Sequence, residues 1–139
     1  MMTYTLTLDN LTPIVSKFDR KITNGVVILK GDLAAGKTTL VKAVVKAKGI
    51  DDAVTSPTFS LQQCYGENIY HYDMYNHGLE HFISLGMLEE LDKEGLHFVE
   101  WGDDALYEIL VDAGIETTVI EIVKVSDDTR EYRVEYAHA

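Results

Sequence analysis

Cysteine, proline and positive charge are scarce in this sequence, and it has no long hydrophobic run. The single cysteine, Cys64, cannot form an internal disulfide, so we expect a reducing, cytoplasmic location. No apolar stretch approaches the roughly 20 residues of a membrane helix, and the first five residues, MMTYT, do not resemble a signal peptide. We therefore expect no membrane association. With no repeat and no proline-rich linker, the 139 residues predict one domain over residues 1–139.

The few positive charges are also unevenly distributed. The chain has 12 Lys and Arg against 23 Asp and Glu, which gives a net charge of −11. Residues 1–48 hold eight of the basic residues and three of the acidic ones, whereas residues 49–139 hold four and twenty. Such an acidic surface repels phosphate backbones. We therefore expect no DNA binding, and any link to RNA should run through a protein partner.

Alternating strands and helices are the main pattern that the sequence does contain. Residues 25–29 form a continuous apolar run, which is typical of a strand buried on both faces. An amphipathic helix is predicted to follow at 37–48. The pattern predicts further strands at 3–8, 59–65, 68–73, 96–101, 117–125 and 131–136, and further helices at 12–21, 78–91 and 103–110. This order predicts an α/β fold with a mixed sheet.

A glycine-rich sequence, G-x-x-x-x-G-K-T, joins the buried strand to this helix. Backbone N–H groups in such a loop surround phosphates, and the helix N-terminus adds its positive dipole end. Lys37 reaches the β- and γ-phosphates in this motif, and the Thr38 hydroxyl ligates magnesium. From this loop we predict ATP and Mg²⁺ as cofactors. The guanine-reading pattern N-K-x-D is missing, so GTP specificity has no support in the sequence. The predicted nucleotide-binding residues of the loop are Gly31, Asp32, Leu33, Ala34, Ala35, Gly36, Lys37, Thr38 and Thr39. The loop and the alternating elements predict a three-layer α/β domain of the P-loop NTPase type, with a mixed parallel and antiparallel central sheet.

A P-loop hydrolase also needs an acidic residue at the end of a buried strand. Glu100 and Asp73 each end a predicted strand, so one could hold the metal while the other orients the attacking water. The sequence leaves open which does which, and for each the alternative is an ordinary strand-end or cap carboxylate. With Lys37, these two acids are the predicted catalytic residues.

Three hydroxyl groups, on Thr55, Ser56 and Thr58, lie in a predicted loop before the next strand. In nucleotide switches such a loop senses the γ-phosphate. An ordinary Ser/Thr turn explains the same residues equally well.

Four motifs in sequence order resemble the TsaE (YjeE) family: the loop at 31–39, V-T-S-P-T-F at 54–59, H-Y-D-M-Y at 71–75 and V-E-W at 99–101. The resemblance covers roughly residues 4–136. Members of this family are small bacterial ATPases of tRNA threonylcarbamoyladenosine synthesis. The resemblance implies a role beside the TsaD–TsaB pair, which modifies the adenosine next to the anticodon. It also implies that tRNA is reached only indirectly, and that ATP hydrolysis is weak alone and stimulated by that pair.

The resemblance also implies residue roles. It makes Thr38 and Glu100 the magnesium ligands, Asp73 an essential acid and Trp101 a functional aromatic, although a core anchor explains Trp101 equally well. Arg130 could approach the nucleotide, but a solvated charge at the start of a strand is the favoured alternative.

Three positions depart from the family pattern: Ala34 replaces a glycine, Asn76 an arginine and Gly102 a proline. Because of Asn76, a nucleotide-dependent binding module without significant hydrolysis stays open as an alternative. A small P-loop kinase is the other alternative. Such kinases use lid arginines, and only four basic residues follow Lys48.

Overall fold

One mixed β-sheet organises the computed structural model, which describes residues 2–20, 22–32, 35–51, 62–74 and 78–137. Within these residues the strands are β1 (Met2–Thr7), β2 (Gly25–Lys30), β3 (Gln62–Tyr65), β4 (Ile69–Asp73), β5 (Leu96–Glu100), β6 (Thr117–Lys124) and β7 (Thr129–Ala137). Their order across the sheet is β1-β7-β6-β2-β5-β4-β3. The middle of the sheet is parallel, because β2 pairs with both β5 and β6 and β4 pairs with β5. The pairs at both edges are antiparallel. The predicted mixed α/β sheet is therefore confirmed.

Helices cover both faces of this sheet. In the described residues they are α1 (Thr12–Val15), α2 (Lys17–Arg20), α3 (Lys37–Ala47), α4 (Leu79–Ser84), α5 (Met87–Leu91) and α6 (Asp104–Asp112). None of these helices has the length and apolar character needed to cross a membrane.

The central strand β2 shows how the three layers form. Val27 and Leu29 pack into one core cluster with residues of α1, α2 and α3. Val26 and Ile28 pack into a second cluster with residues of α4, α5 and α6. Successive side chains of a strand point to opposite faces, so the sheet has an α3 face and an α6 face. The continuous apolar run was therefore correctly predicted to be buried on both sides, and the sheet lies between two helical layers.

Two helices that the sequence predicts as continuous are each divided in the structure. The predicted helix at 12–21 becomes α1 and α2, separated at Ser16, whose hydroxyl donates to the Pro13 carbonyl at 3.1 Å. Side-chain bonds of this kind compete with the helical ladder. The predicted helix at 78–91 becomes α4 and α5, separated at Gly86, which has a φ of 77°. A residue with a left-handed backbone interrupts a helix, and glycine is common at such a position because residues with a side chain rarely adopt that backbone.

Candidate functional site

The glycine-rich loop leaves β2 and enters α3 at the carboxyl end of the parallel strands. Gly36 precedes the first turn of α3 and has a φ of 107°, a conformation that favours glycine. A Cβ atom on Gly31 would lie 2.7 Å from the carbonyl oxygen of Ile122 on β6. Both glycines are therefore required by the path of the loop. The unbonded N–H groups at the start of α3 make this end of the helix suitable for an anion.

Lys37 is buried at the first position of α3, with 5% of its surface exposed. Its Nζ donates to the carbonyl oxygens of Gly31 at 2.7 Å and Asp32 at 2.9 Å. The same atom lies 4.0 Å from the centroid of the Trp101 ring, which is within cation–π range. Burial lowers the pKa of the Lys37 ammonium from its usual value, while the Glu100 carboxylate acts in the opposite direction. The lysine is thus held inside the loop by acceptors that a phosphate can replace.

Trp101 has a backbone that is unusual for a non-glycine residue, with a φ of 66°. It follows β5 directly, and its side chain is partly buried against the core of the α6 face. Its packing agrees with the core-anchor interpretation, and its ring also faces Lys37. The next residue, Gly102, is buried, and a Cβ there would lie 2.9 Å from the Ile28 side chain. This crowding explains why a small residue stands at position 102.

A hydroxyl and a carboxylate meet beside the loop. Thr38 Oγ1 donates to Glu100 Oε2 at 2.9 Å, although the two residues are 62 positions apart in sequence. Glu100 ends β5 and is only 3% exposed. In the pairing of β4 with β5, Asp73 stands directly opposite Glu100, so both predicted acids lie at the same edge of the sheet. Parallel strands place their carboxyl ends together, and that geometry brings these three residues to one place.

The oxygen pair of Thr38 and Glu100 fits a magnesium ion. Mg²⁺ is usually held by one or two protein oxygens, with substrate phosphates and water completing the shell. The described residues contain no group of three or more His, Cys, Asp and Glu that could hold a metal by themselves.

The buried carboxylate of Glu100 has a second partner that was not among the predicted site residues. His71 Nε2 hydrogen-bonds the same Oε2 atom, and His71 Nδ1 lies 3.0 Å from the Tyr65 hydroxyl. Both His71 and Asp73 belong to β4, two positions apart, so they share a face of the sheet. A histidine two residues before a predicted catalytic acid, within an otherwise buried strand, is the sequence signal that could have found it.

Arg130 lies behind the loop, near the start of β7. Its Nε donates to the Ala35 carbonyl at 2.8 Å, and its Nη1 donates to the Ser126 carbonyl at 2.7 Å. The residue is 5% exposed, so the favoured interpretation of a solvated strand-end charge is wrong. In this position the guanidinium joins the loop to the β6–β7 turn. Contact between Arg130 and a nucleotide stays a prediction.

A cavity of about 330 Å³ opens beside the loop. Its lining residues are Gly31, Asp32, Ala35, Glu121, Ile122, Val123 and Lys124. It lies next to the loop and to the second half of β6. Thr39, the other predicted loop residue that the structure describes, is exposed in the first turn of α3.

Several predicted site positions lie outside the described residues. They are Leu33, Ala34, Thr55, Ser56, Thr58 and Asn76. Their roles stay predictions.

Comparison with protein families gives a match over nearly the whole chain. Residues 7–132 match the model of the threonylcarbamoyl adenosine biosynthesis protein TsaE. This chain belongs to the TsaE family. Its relatives include the tRNA threonylcarbamoyladenosine biosynthesis protein TsaE of Treponema pallidum, 37% identical over 112 residues, or 78% of this chain and 80% of the relative. The TsaE of Rickettsia typhi is 41% identical over 85 residues, and the alignment spans 58% of each protein.

A solved structure supports the same relationship. The crystal structure of YdiB from Bacillus subtilis superposes with a TM-score of 0.70 and 27% sequence identity. The match covers 99% of this chain and 86% of YdiB. The fold that this TsaE family member adopts is therefore found in a solved protein as well. The description of the family places it in threonylcarbamoyl adenosine biosynthesis.

Proposed function

We propose that this chain is an ATPase of tRNA threonylcarbamoyladenosine biosynthesis, which binds and hydrolyses Mg²⁺-ATP at the glycine-rich loop. The observation that carries the proposal is the 2.9 Å hydrogen bond between Thr38 and Glu100, beside the buried ammonium of Lys37. A hydroxyl from the loop and a carboxylate from a neighbouring strand form the metal-binding pair of P-loop hydrolases. Membership of the TsaE family supports the biosynthetic role.

Phosphate binding follows from the chemistry of the loop. The amides at the start of α3 point toward the position of an anion, and Lys37 exchanges its two carbonyl acceptors for phosphate oxygens. The exchange is favourable because the ammonium passes from neutral acceptors to charged ones. Phosphate charge also opposes the effect of burial, so it raises the pKa of Lys37 and keeps the lysine protonated.

Thr38 and Glu100 would hold magnesium. Bound Mg²⁺ supplies charge neutralisation for the phosphates during transfer of the γ-phosphoryl group to water. Because Glu100 contacts Thr38, we assign Glu100 to the metal and Asp73, on the adjacent strand end, to the attacking water. The assignment gives each carboxylate one task.

The positions of the remaining basic residues favour hydrolysis over a kinase reaction. Of the four basic residues after Lys48, three form ion pairs: Lys93 with Glu90, Lys124 with Asp127, and Arg133 with Glu121 and Glu131. The fourth, Arg130, is tied to backbone carbonyls behind the loop. A kinase needs cations that close over the transferred phosphoryl group. These four basic residues are already engaged elsewhere, which favours hydrolysis.

We further propose that the ATPase acts in the cytoplasm with a TsaD–TsaB-like complex and reaches tRNA only through that complex. The net charge of −11 supports indirect contact, because it repels a phosphate backbone.

The test is single-turnover release of phosphate from Mg²⁺-ATP, with and without a purified TsaD–TsaB-type complex. We expect slow release alone, stimulation by the complex, and a loss of at least tenfold in Glu100→Gln. Glu108→Gln, which changes an exposed glutamate of α6, is the matched control and should release phosphate like the unaltered protein. Unchanged release in Glu100→Gln would contradict the catalytic assignment. Labelled product other than inorganic phosphate would favour the kinase.

A further inference from the structure

Two buried histidines lie on neighbouring strands of the sheet, and each is hydrogen-bonded to a tyrosine. His71 on β4 bonds Tyr65 on the α3 face of the sheet, and His97 on β5 bonds Tyr72 on the α6 face. Both histidines are 0% exposed. The second ring nitrogen distinguishes them. In His97 it bonds the carbonyl of Lys93 at 2.8 Å, whereas in His71 it bonds the carboxylate of Glu100.

We propose that His71 is a positioning residue, which holds the Glu100 carboxylate in the orientation that binds the metal of the nucleotide complex. The inference rests on the proposed function, because it concerns the same magnesium. It assigns a task to a histidine of the H-Y-D-M-Y sequence that is not among the predicted catalytic or metal-binding residues.

The hydrogen-bonding capacity of the groups supports this task. An ionised carboxylate only accepts hydrogen bonds, so His71 Nε2 must donate to Glu100. Thr38 donates to the same oxygen, Oε2. With two donors on Oε2, the carboxylate has a defined orientation before any metal arrives. Tyr65 in turn holds the His71 ring, because its hydroxyl lies 3.0 Å from Nδ1 and 2.8 Å from the Gln63 side-chain oxygen, and its single proton serves one of these two contacts. The chain of bonds therefore runs from strand β3 to the phosphate loop.

Burial makes these contacts strong and their loss costly. Glu100 is 3% exposed, so water cannot readily replace a missing donor. Groups that hydrogen-bond a metal ligand usually change metal affinity by about 10- to 100-fold when they are removed. The same range is expected here.

The experiment measures ATP affinity by calorimetry in excess EDTA and again in excess Mg²⁺. The dissociation constant in EDTA divided by that in Mg²⁺ gives the contribution of the metal to binding. His71→Ala is expected to lower this ratio by about 10- to 100-fold while leaving the EDTA affinity unchanged. His71→Gln should restore part of the ratio, because its amide can donate to Glu100. Tyr65→Phe should lower it by about twofold to tenfold, the range for one neutral hydrogen bond.

His97→Ala is the matched control, because it removes an equally buried histidine with an equivalent tyrosine partner. It should lower the melting temperature but keep the ratio. The proposal is overturned if His71→Ala keeps the ratio, or if His97→Ala lowers it as much. If His71→Ala does not fold, Tyr65→Phe decides, and an unchanged ratio in that variant overturns the proposal. Absence of ATP binding by the unaltered protein in both buffers would instead refute the proposed function, and the inference with it.

Discussion

Replacing Arg130 with methionine removes a buried guanidinium that connects the phosphate loop to the last hairpin. Four backbone carbonyls lose a donor: Ala35 at 2.8 Å, Ser126 at 2.7 Å, Thr129 at 3.1 Å and Asp127 at 3.4 Å. Methionine has a similar length and fills much of the same space, so the change isolates the loss of hydrogen bonds from the creation of a cavity.

The magnitude follows from the burial of the guanidinium, whose bond to Ala35 is fully buried and whose bonds to the turn are partly buried. A hydrogen bond from a charged donor contributes about 1.5–3 kcal/mol, and an acceptor left unsatisfied in a buried position costs about 1–3 kcal/mol. Removing the charge also removes its own desolvation penalty, which offsets part of the loss. We expect a net decrease of about 3 kcal/mol in the free energy of unfolding. For 139 residues this corresponds to a melting temperature lower by about 10 °C.

The assay is denaturant unfolding combined with calorimetric ATP binding. Because Ala35 belongs to the loop, its released carbonyl should also weaken ATP binding by about tenfold, or 1.4 kcal/mol. Arg133→Met is the matched control on the same strand, since that arginine is 42% exposed and pairs with Glu121 and Glu131 at the surface. It should change both quantities much less.

Two results would refute this reasoning. Equal unfolding midpoints for Arg130→Met and Arg133→Met would show that the buried bonds do not stabilise the hairpin. A destabilised Arg130→Met protein with unchanged ATP affinity would show that the loop keeps its shape without the guanidinium.

Two further predictions concern the segment after β5. Asp103 caps α6 by accepting a hydrogen bond from the backbone amide three residues later, at 2.9 Å. Asp103→Ala should therefore lower the free energy of unfolding in urea by about 1 kcal/mol. Asp104→Ala, which removes a surface ion pair with Lys30, should lower it less, and equal losses would contradict the capping role. Trp101 is the single tryptophan of the chain, and the Lys37 ammonium lies over its ring. Adding Mg²⁺-ATP should therefore change the tryptophan fluorescence, because the ammonium moves from the ring to the phosphates. Unchanged fluorescence in a sample for which calorimetry shows binding would mean that the lysine stays in place.

The sequence predicts the centre of this fold better than its periphery. Strand β2 and helix α3 have strong apolar patterns, and both are confirmed within one or two residues. The divided helices were missed because an amphipathic pattern continues across the break. At Gly86 a single left-handed residue changes the direction of the chain without changing the spacing of apolar residues.

Part of the site was equally accessible from the sequence. Local motifs mark Lys37, Thr38 and Glu100, and the parallel order of the strands brings them together. The roles of His71 and Arg130 depend on partners 29 and 95 positions away, so neither contact follows from local spacing. The sequence marks both residues, His71 within the H-Y-D-M-Y motif and Arg130 near the start of a predicted strand, but it does not show what either one contacts.

The pairing of β1 with β7 has a consequence for biosynthesis of the protein. Met2 lies opposite Val134, so strand β1 can pair only after strand β7 has been synthesised. Arg130, whose guanidinium bonds the Ala35 carbonyl, also belongs to strand β7. On the ribosome, a nascent chain that has already exposed its glycine-rich loop therefore still lacks one border of its sheet and the support behind that loop. The final shape of the loop therefore depends on a residue that is made 95 positions after Ala35.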